Sequence, residues 1–247
     1  MNKKKISLLP VGITGGIIIT LLMAFLIYSA DFYQSDQTAI KDFQVSKEVS
    51  VEQYNNNTTI YSTKDSHTAL IFYPGGKVEH TAYEPLMKAC AEKGIMCILI
   101  EMPFNLADFN INAADIHTEL RVAHPEITSW YIGGHSLGGS MAGKYLVDNY
   151  TDFDGLILLG SYITSDLSHT ELNVISIYGS EDNVLSKTNY DASIFNLPED
   201  YTEIIINGGC HSYFGMYGEQ KGDGTPCISN IEQIRITADE IEKVLGN

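Results

Sequence analysis

Basic residues are few in this chain compared with acidic ones. The 247 residues hold 15 Lys and Arg against 31 Asp and Glu. All 31 acidic residues but only 12 of the 15 basic ones lie after position 30, which leaves 19 excess negative charges there. A surface of that sign repels polyphosphate and anionic headgroups, and so argues against binding nucleic acid or acidic lipid. Cysteine is also sparse: Cys90, Cys97, Cys210 and Cys227 show neither a CxxC pair nor a zinc-type spacing. A Cys210 to Cys227 bridge, another pairing, or buried free thiols all fit the sequence. Internal repeats and low-complexity stretches are absent, so one α/β-sized domain burying its own core is the default.

Charge of either sign is missing between Ile6 and Ala30, and Gly15 to Ile27 is almost wholly apolar. About 23 such residues at ~1.5 Å each match a ~30 Å hydrocarbon core, which predicts a transmembrane helix. Lys3, Lys4 and Lys5 precede it, while Asp31 and Asp36 follow. The positive-inside bias then predicts a single-pass membrane protein with a cytoplasmic N-terminus and an extracytoplasmic domain. A cleaved secretory signal followed by secretion is the competing reading. The length of the stretch argues against it, as do Tyr28 and Ala30 at the cleavage positions that favour small residues.

Residues 31–57 read as a polar linker merging into edge strands near Val45, Val49 and Val51, closed by the Asn55-Asn56-Asn57 turn. Residues 58–247 then alternate short β-branched runs with amphipathic ones. Strands are predicted at Thr58 to Ser62, Ala69 to Tyr73, Ile95 to Ile100, Trp130 to Gly133, Gly155 to Leu159, Val174 to Tyr178 and Thr202 to Ile206. Helices are predicted at Thr81 to Lys93, Ala113 to His124, Leu137 to Asn149 and Ile231 to Leu245, with a weaker one at Asn189 to Phe195. Such alternation implies a mostly parallel twisted sheet covered by helices on both faces, with ligands beyond the carboxyl ends of the strands.

Gly134-His135-Ser136-Leu137-Gly138 fits G-x-S-x-G where a strand gives way to a helix. In that turn a serine projects above the sheet, and the helix N-terminus favours developing negative charge. A hydroxyl at neutral pH needs a base, and the base needs a partner that sets its tautomer. His211 and Asp182 stand in loops after later strands, in the order serine, acid, histidine. Glu181 is a rival acid, and Asp182 has an alternative reading as a helix cap. Acyl transfer also needs oxyanion donors: Leu137 N–H follows the serine, and the Tyr73-Pro74-Gly75-Gly76-Lys77 turn offers the N–H of Gly76 or Lys77. No cofactor or metal is called for.

These motifs resemble the α/β-hydrolase family, in particular its small dienelactone-hydrolase-like branch, the α/β-hydrolase fold-5 domain. The similar runs are Tyr73 to Val78, Met102 to Leu106, Ile132 to Gly139, Tyr178 to Asp182 and His211 with its neighbours Gly208 to Gly215. The resemblance covers roughly Ala69 to Ile234 and implies Ser136, Asp182 and His211 as a triad, with the oxyanion loop at Gly75 to Lys77. Cys210 departs from the branch, which often places a polar residue before the histidine. The segment Tyr217 to Gly224 also resembles the branch, without an evident role. Ser161 to Asn173, where lids often sit in the family, is short, which implies a minimal lid. The expected activity is serine hydrolysis of a carboxylic ester or related acyl bond. A peptidase or amidase, or a non-catalytic binding protein on the same scaffold, are the alternatives. The expected partners are a small-molecule or acyl substrate and, through the N-terminal helix, a membrane.

Overall fold

The structure, a computed structural model, describes residues 9–245, with side chains from residue 14 onward. Two compact units result, residues 1–32 and Tyr33–Asn247. The first contains helix α1, Leu9–Ala30. Here the sequence-based expectation is corrected: among the described residues no helix is long and apolar enough to cross a membrane. Within α1, side chains are described only for residues 14–30, and those 17 residues are fewer than the ~20 apolar ones that a ~30 Å core requires. Lys3, Lys4 and Lys5, on which the orientation rested, lie outside the described residues. The transmembrane anchor, the single-pass topology with an extracytoplasmic domain, and the membrane as a partner through this helix are therefore withdrawn.

In the second unit, α2 (Gln37–Asp42) was not anticipated. Six residues are too few to show a helical period, and the turn is held by Asp36, whose carboxylate accepts from the N–H of Thr38 and Ala39. Strands β1 (Ser50–Asn55) and β2 (Thr58–Ser62) form the hairpin around Asn55 to Asn57. They are followed by β3 (Thr68–Tyr73), α3 (Glu84–Glu92), β4 (Ile95–Ile100), α4 (His117–Ala123), β5 (Ser129–His135) and α5 (Leu137–Asn149). The chain ends with β6 (Gly155–Leu159), β7 (Asn173–Gly179), α6 (Lys187–Ser193), β8 (Thr202–Ile206) and α7 (Asn230–Leu245). The eight strands form one sheet in the order β1-β2-β4-β3-β5-β6-β7-β8. β1 and β2 pair antiparallel, as do β2 and β4, and the other neighbours are parallel.

β3 and β4 are buried along their whole length, as strands covered on both faces must be, and so they read as unbroken apolar runs rather than alternating ones. One face packs on α3 and α7 through Leu86, Met87, Ile234 and Ile241. The other packs on α4 and α5 through Leu120, Ala142 and Leu146. Two predicted helices begin instead as 3-10 turns: His80–Tyr83 precedes α3, where Pro85 can only occupy the first turn, and Ile111–Ile116 precedes α4. The four cysteines are free thiols, three of them buried and Cys227 exposed. The open question of a Cys210 to Cys227 bridge resolves in that direction.

Candidate active site

The loops after β3, β5, β6, β7 and β8 meet at the carboxyl end of the sheet. Ser136 lies between β5 and α5 with φ 51° and ψ −121°, a backbone region that costs a non-glycine residue energy and persists only when its surroundings impose it. Its surroundings do so through its peptide groups. Ser136 N–H donates to Leu159 O (2.9 Å), and Ser136 O accepts from Ser161 Oγ (2.6 Å) and from Ser140 N–H (3.2 Å). The main chain is fixed, and the half-buried side chain faces a cavity of about 270 Å³ lined by Ser136, Leu137, Gly160, Tyr162, Leu185 and His211.

His211 and Asp182 are brought together. The His211 Nδ1–H donates to Asp182 Oδ2 at 2.8 Å, and both side chains are 1% exposed. The other carboxylate oxygen, Oδ1, accepts from the N–H of Val184 (2.9 Å) and Leu185 (2.8 Å). Asp182 is thus a turn cap and the partner of His211 at once. With the proton on Nδ1, the lone pair of the imidazole sits on Nε2, which is buried and has no hydrogen-bond partner among the described residues. A buried, unpaired acceptor costs free energy unless a donor reaches it, and the cavity shared with Ser136 is where that donor would come from. Glu181 points elsewhere: its carboxylate accepts from Ser180 Oγ at 2.9 Å in an exposed position.

The glycine turn after β3 behaves unevenly. Gly75 N–H donates to Tyr83 Oη (3.1 Å), and Lys77 N–H, at φ 60°, donates to Asn105 O (2.7 Å). Those two amides are committed. A Cβ on Gly76 would lie 2.8 Å from the Leu137 side chain, which sets Gly76 beside the first residue of α5. The first amides of a helix have no carbonyl of their own to bind.

Tyr83 and Gly160 also shape this site and were not singled out from the sequence. Tyr83 Oη, besides accepting from Gly75, hydrogen-bonds His135 Nδ1 at 2.7 Å. Burial first, and then the neighbouring His211 ring, push the pKa of His135 well below its ordinary value, so it is neutral. Its ring centroid lies 4.4 Å from that of His211, forming one wall against which the His211 imidazole packs. Gly160 follows β6 with φ 50°, and a Cβ there would lie 2.9 Å from His211 Nδ1 and 3.1 Å from Asp182 Oδ2. A Gly-Ser pair directly after a buried strand was the available signal for it. Gly160→Ala should leave the protein folded but displace the His–Asp pair. The rate of reaction with an active-site acylating or phosphonylating probe is expected to fall about 100-fold, the scale of a 1 Å misplacement. An unchanged probe rate in that variant would show that the pair has room to spare.

A model of the Alpha/beta hydrolase family matches residues 69–235. No curated protein matches the chain. Among solved structures, the crystal structure of TT1662 from Thermus thermophilus is similar with a TM-score of 0.59 and 12% sequence identity, over 81% of this chain and 100% of that one. At that identity the likeness is one of fold. The family match spans more than half of the sequence and runs from β3 into α7, across every loop that builds the site; this chain belongs to the alpha/beta hydrolase family.

Proposed function

We propose that the protein is a serine hydrolase that cleaves a carboxylic ester or related acyl bond through an acyl-enzyme. Ser136 Oγ attacks the acyl carbon while His211 Nε2 takes its proton. The carbonyl oxygen becomes an oxyanion, bound by the N–H groups of Leu137 and Gly76. His211 returns the proton to the departing alcohol, leaving the acyl group on Ser136. Water then attacks, with His211 again accepting the proton and finally restoring it to Ser136. Asp182 holds the Nδ1 proton throughout and stabilises the transient imidazolium. The dienelactone-hydrolase-like branch is part of the same proposal and rests on the motif runs around Gly75, Ser136, Asp182 and His211.

The observation that carries this reading is the buried 2.8 Å His211–Asp182 bond, with Nε2 unpaired beside a cavity that Ser136 also lines. The test is to treat the full chain with a fluorophosphonate probe and locate the adduct by peptide mass spectrometry, using heat-denatured protein as control. An adduct on Ser136 of folded protein alone supports the reading, and none on any residue overturns it. A panel of matched esters and amides then separates an esterase from an amidase. The choice of acid has its own test: Glu181→Gln should change the probe rate less than about twofold, since that carboxylate is in an exposed position and, among the described residues, bonds Ser180 rather than His211. A larger loss there than in an Asp182 variant would reverse the assignment.

A further inference from the structure

The reach of a general base is set twice, by the rotation of its ring and by the position of its main chain. Asp182 governs the first for His211. The second is governed by two side chains far away in sequence. Gln233, on α7 and wholly buried, takes both polar groups of the residue before the histidine: its Oε1 accepts from Cys210 N–H (2.9 Å) and its Nε2 donates to Cys210 O (2.8 Å). Asp223 takes the next two amides. Its Oδ1 accepts from His211 N–H (3.1 Å) and its Oδ2 from Ser212 N–H (2.8 Å), while Gly224 N–H (2.8 Å) closes its own turn onto Oδ1.

Three consecutive residues around the base are therefore held by two side chains, one on a helix and one on a loop. Water could satisfy amides in an ordinary surface loop, so a buried carboxamide and a carboxylate in that role fix a position rather than merely fill a hydrogen-bonding need. Burial acts to raise the Asp223 pKa, but the amides of Ser212, His211 and Gly224 outweigh it and hold the group below the ordinary carboxylate value, so it is charged at neutral pH. The same turn also touches the acid side of the site, because a Cβ on Gly224 would collide with the Glu181 carbonyl. One loop thus abuts the turn that carries Asp182 and grips the turn that carries His211.

We propose that Asp223 and Gln233 are positioning residues that set the reach of the His211 imidazole toward Ser136 through the main chain of residues 210–212. This gives the 217–224 segment a role, and it rests on the reading of His211 as the base. Neither residue touches the reacting atoms. In Asp223→Asn one acceptor oxygen becomes an NH₂ group, which cannot accept from an amide, so one side of the grip opens while side-chain size is kept.

The full chain and its Asp223→Asn variant are compared at a temperature well below both melting points. The second-order rate constant for fluorophosphonate labelling of Ser136 is expected to fall about 10- to 100-fold. The far-downfield ¹H NMR resonance of the His211 Nδ1 proton should shift or broaden, a signature that loss of stability alone does not produce in folded protein. Wild-type rate and an unmoved resonance in the folded variant overturn the proposal. If Asp223→Asn does not fold, Gln233→Leu must show the same slowed labelling and altered resonance, and wild-type behaviour there overturns it equally. Wild type and His211→Ala run alongside. Labelling of wild type that His211→Ala abolishes upholds the base, so a normal Asp223 variant then defeats the positioning role alone. Labelling that survives His211→Ala defeats the reading of the base and the positioning role with it.

Discussion

Ser136→Ala is expected to abolish fluorophosphonate labelling and to cut ester turnover by roughly 10⁴- to 10⁶-fold, with the fold unchanged. Removing the nucleophile of a concerted triad costs nearly as much as removing all three members, because the histidine and the acid then have nothing to activate. The fold should survive because the elbow is held through peptide groups: the bonds to Leu159 O and from Ser161 Oγ use the Ser136 main chain and are untouched. Ser136→Gly separates the two effects further. A glycine at φ 51° escapes the Cβ penalty, so this variant should be as inactive as alanine yet melt at a higher temperature, the residue having traded stability for geometry. The nearby hydroxyls do not substitute for it. Ser140 Oγ is tied to Tyr162 O (2.5 Å) and Ser161 Oγ to Ser136 O (2.6 Å), each donating its only proton to a carbonyl. Turnover by Ser136→Ala at the wild-type rate would remove Ser136 from the mechanism, and an adduct on Ser140 or Ser161 would name its replacement.

What could be read in advance follows from which interactions are local. β3 and β4 were legible because complete burial on both faces demands the apolar runs Ala69 to Tyr73 and Ile95 to Ile100. The strand, elbow and helix around Ser136 were legible because a tight turn constrains its own residues. The start of α3 was missed although Pro85, which fits only the first turn of a helix, marked it locally, because the amphipathic run beginning at Thr81 continues through it. The apolar run before Ala30 shows the opposite limit, for hydropathy reports composition, whereas a span is a property of the helix that forms, and no helix among the described residues is long and apolar enough to cross. Lys77 shows a third limit. Its amide looked as available for an oxyanion as that of Gly76, and what distinguishes them is Asn105 O, contributed by a loop 28 residues further on. Asp223 and Gln233 were invisible for the same reason, because their partners are main-chain groups and carry no side-chain pattern.

The choice between Glu181 and Asp182 leads to the other large effect. Two adjacent carboxylates are indistinguishable by type, but the turn closed by Asp182 N–H on Gly179 O (3.1 Å) carries the second inward to His211 and leaves the first in solvent. In Asp182→Asn a single oxygen must serve where two did. If that oxygen stays with the amides of Val184 and Leu185, where it accepts two bonds, the NH₂ group faces His211 Nδ1. Nδ1 must then become the acceptor, the proton moves to Nε2, and the base has no lone pair to offer Ser136. If the amide turns over, the His211 bond is kept but two buried N–H groups meet an NH₂ group at a cost of about 1–3 kcal/mol each. The first orientation is the cheaper one, so the variant should fold with its histidine in the wrong tautomer and lose about 10⁴ in turnover. Two readouts check this together: the labelling rate, and a ¹⁵N NMR assignment of the His211 ring that finds the proton on Nε2. An Nδ1 proton combined with near-normal labelling would mean that Asp182 serves only as a cap and that the tautomer is set elsewhere.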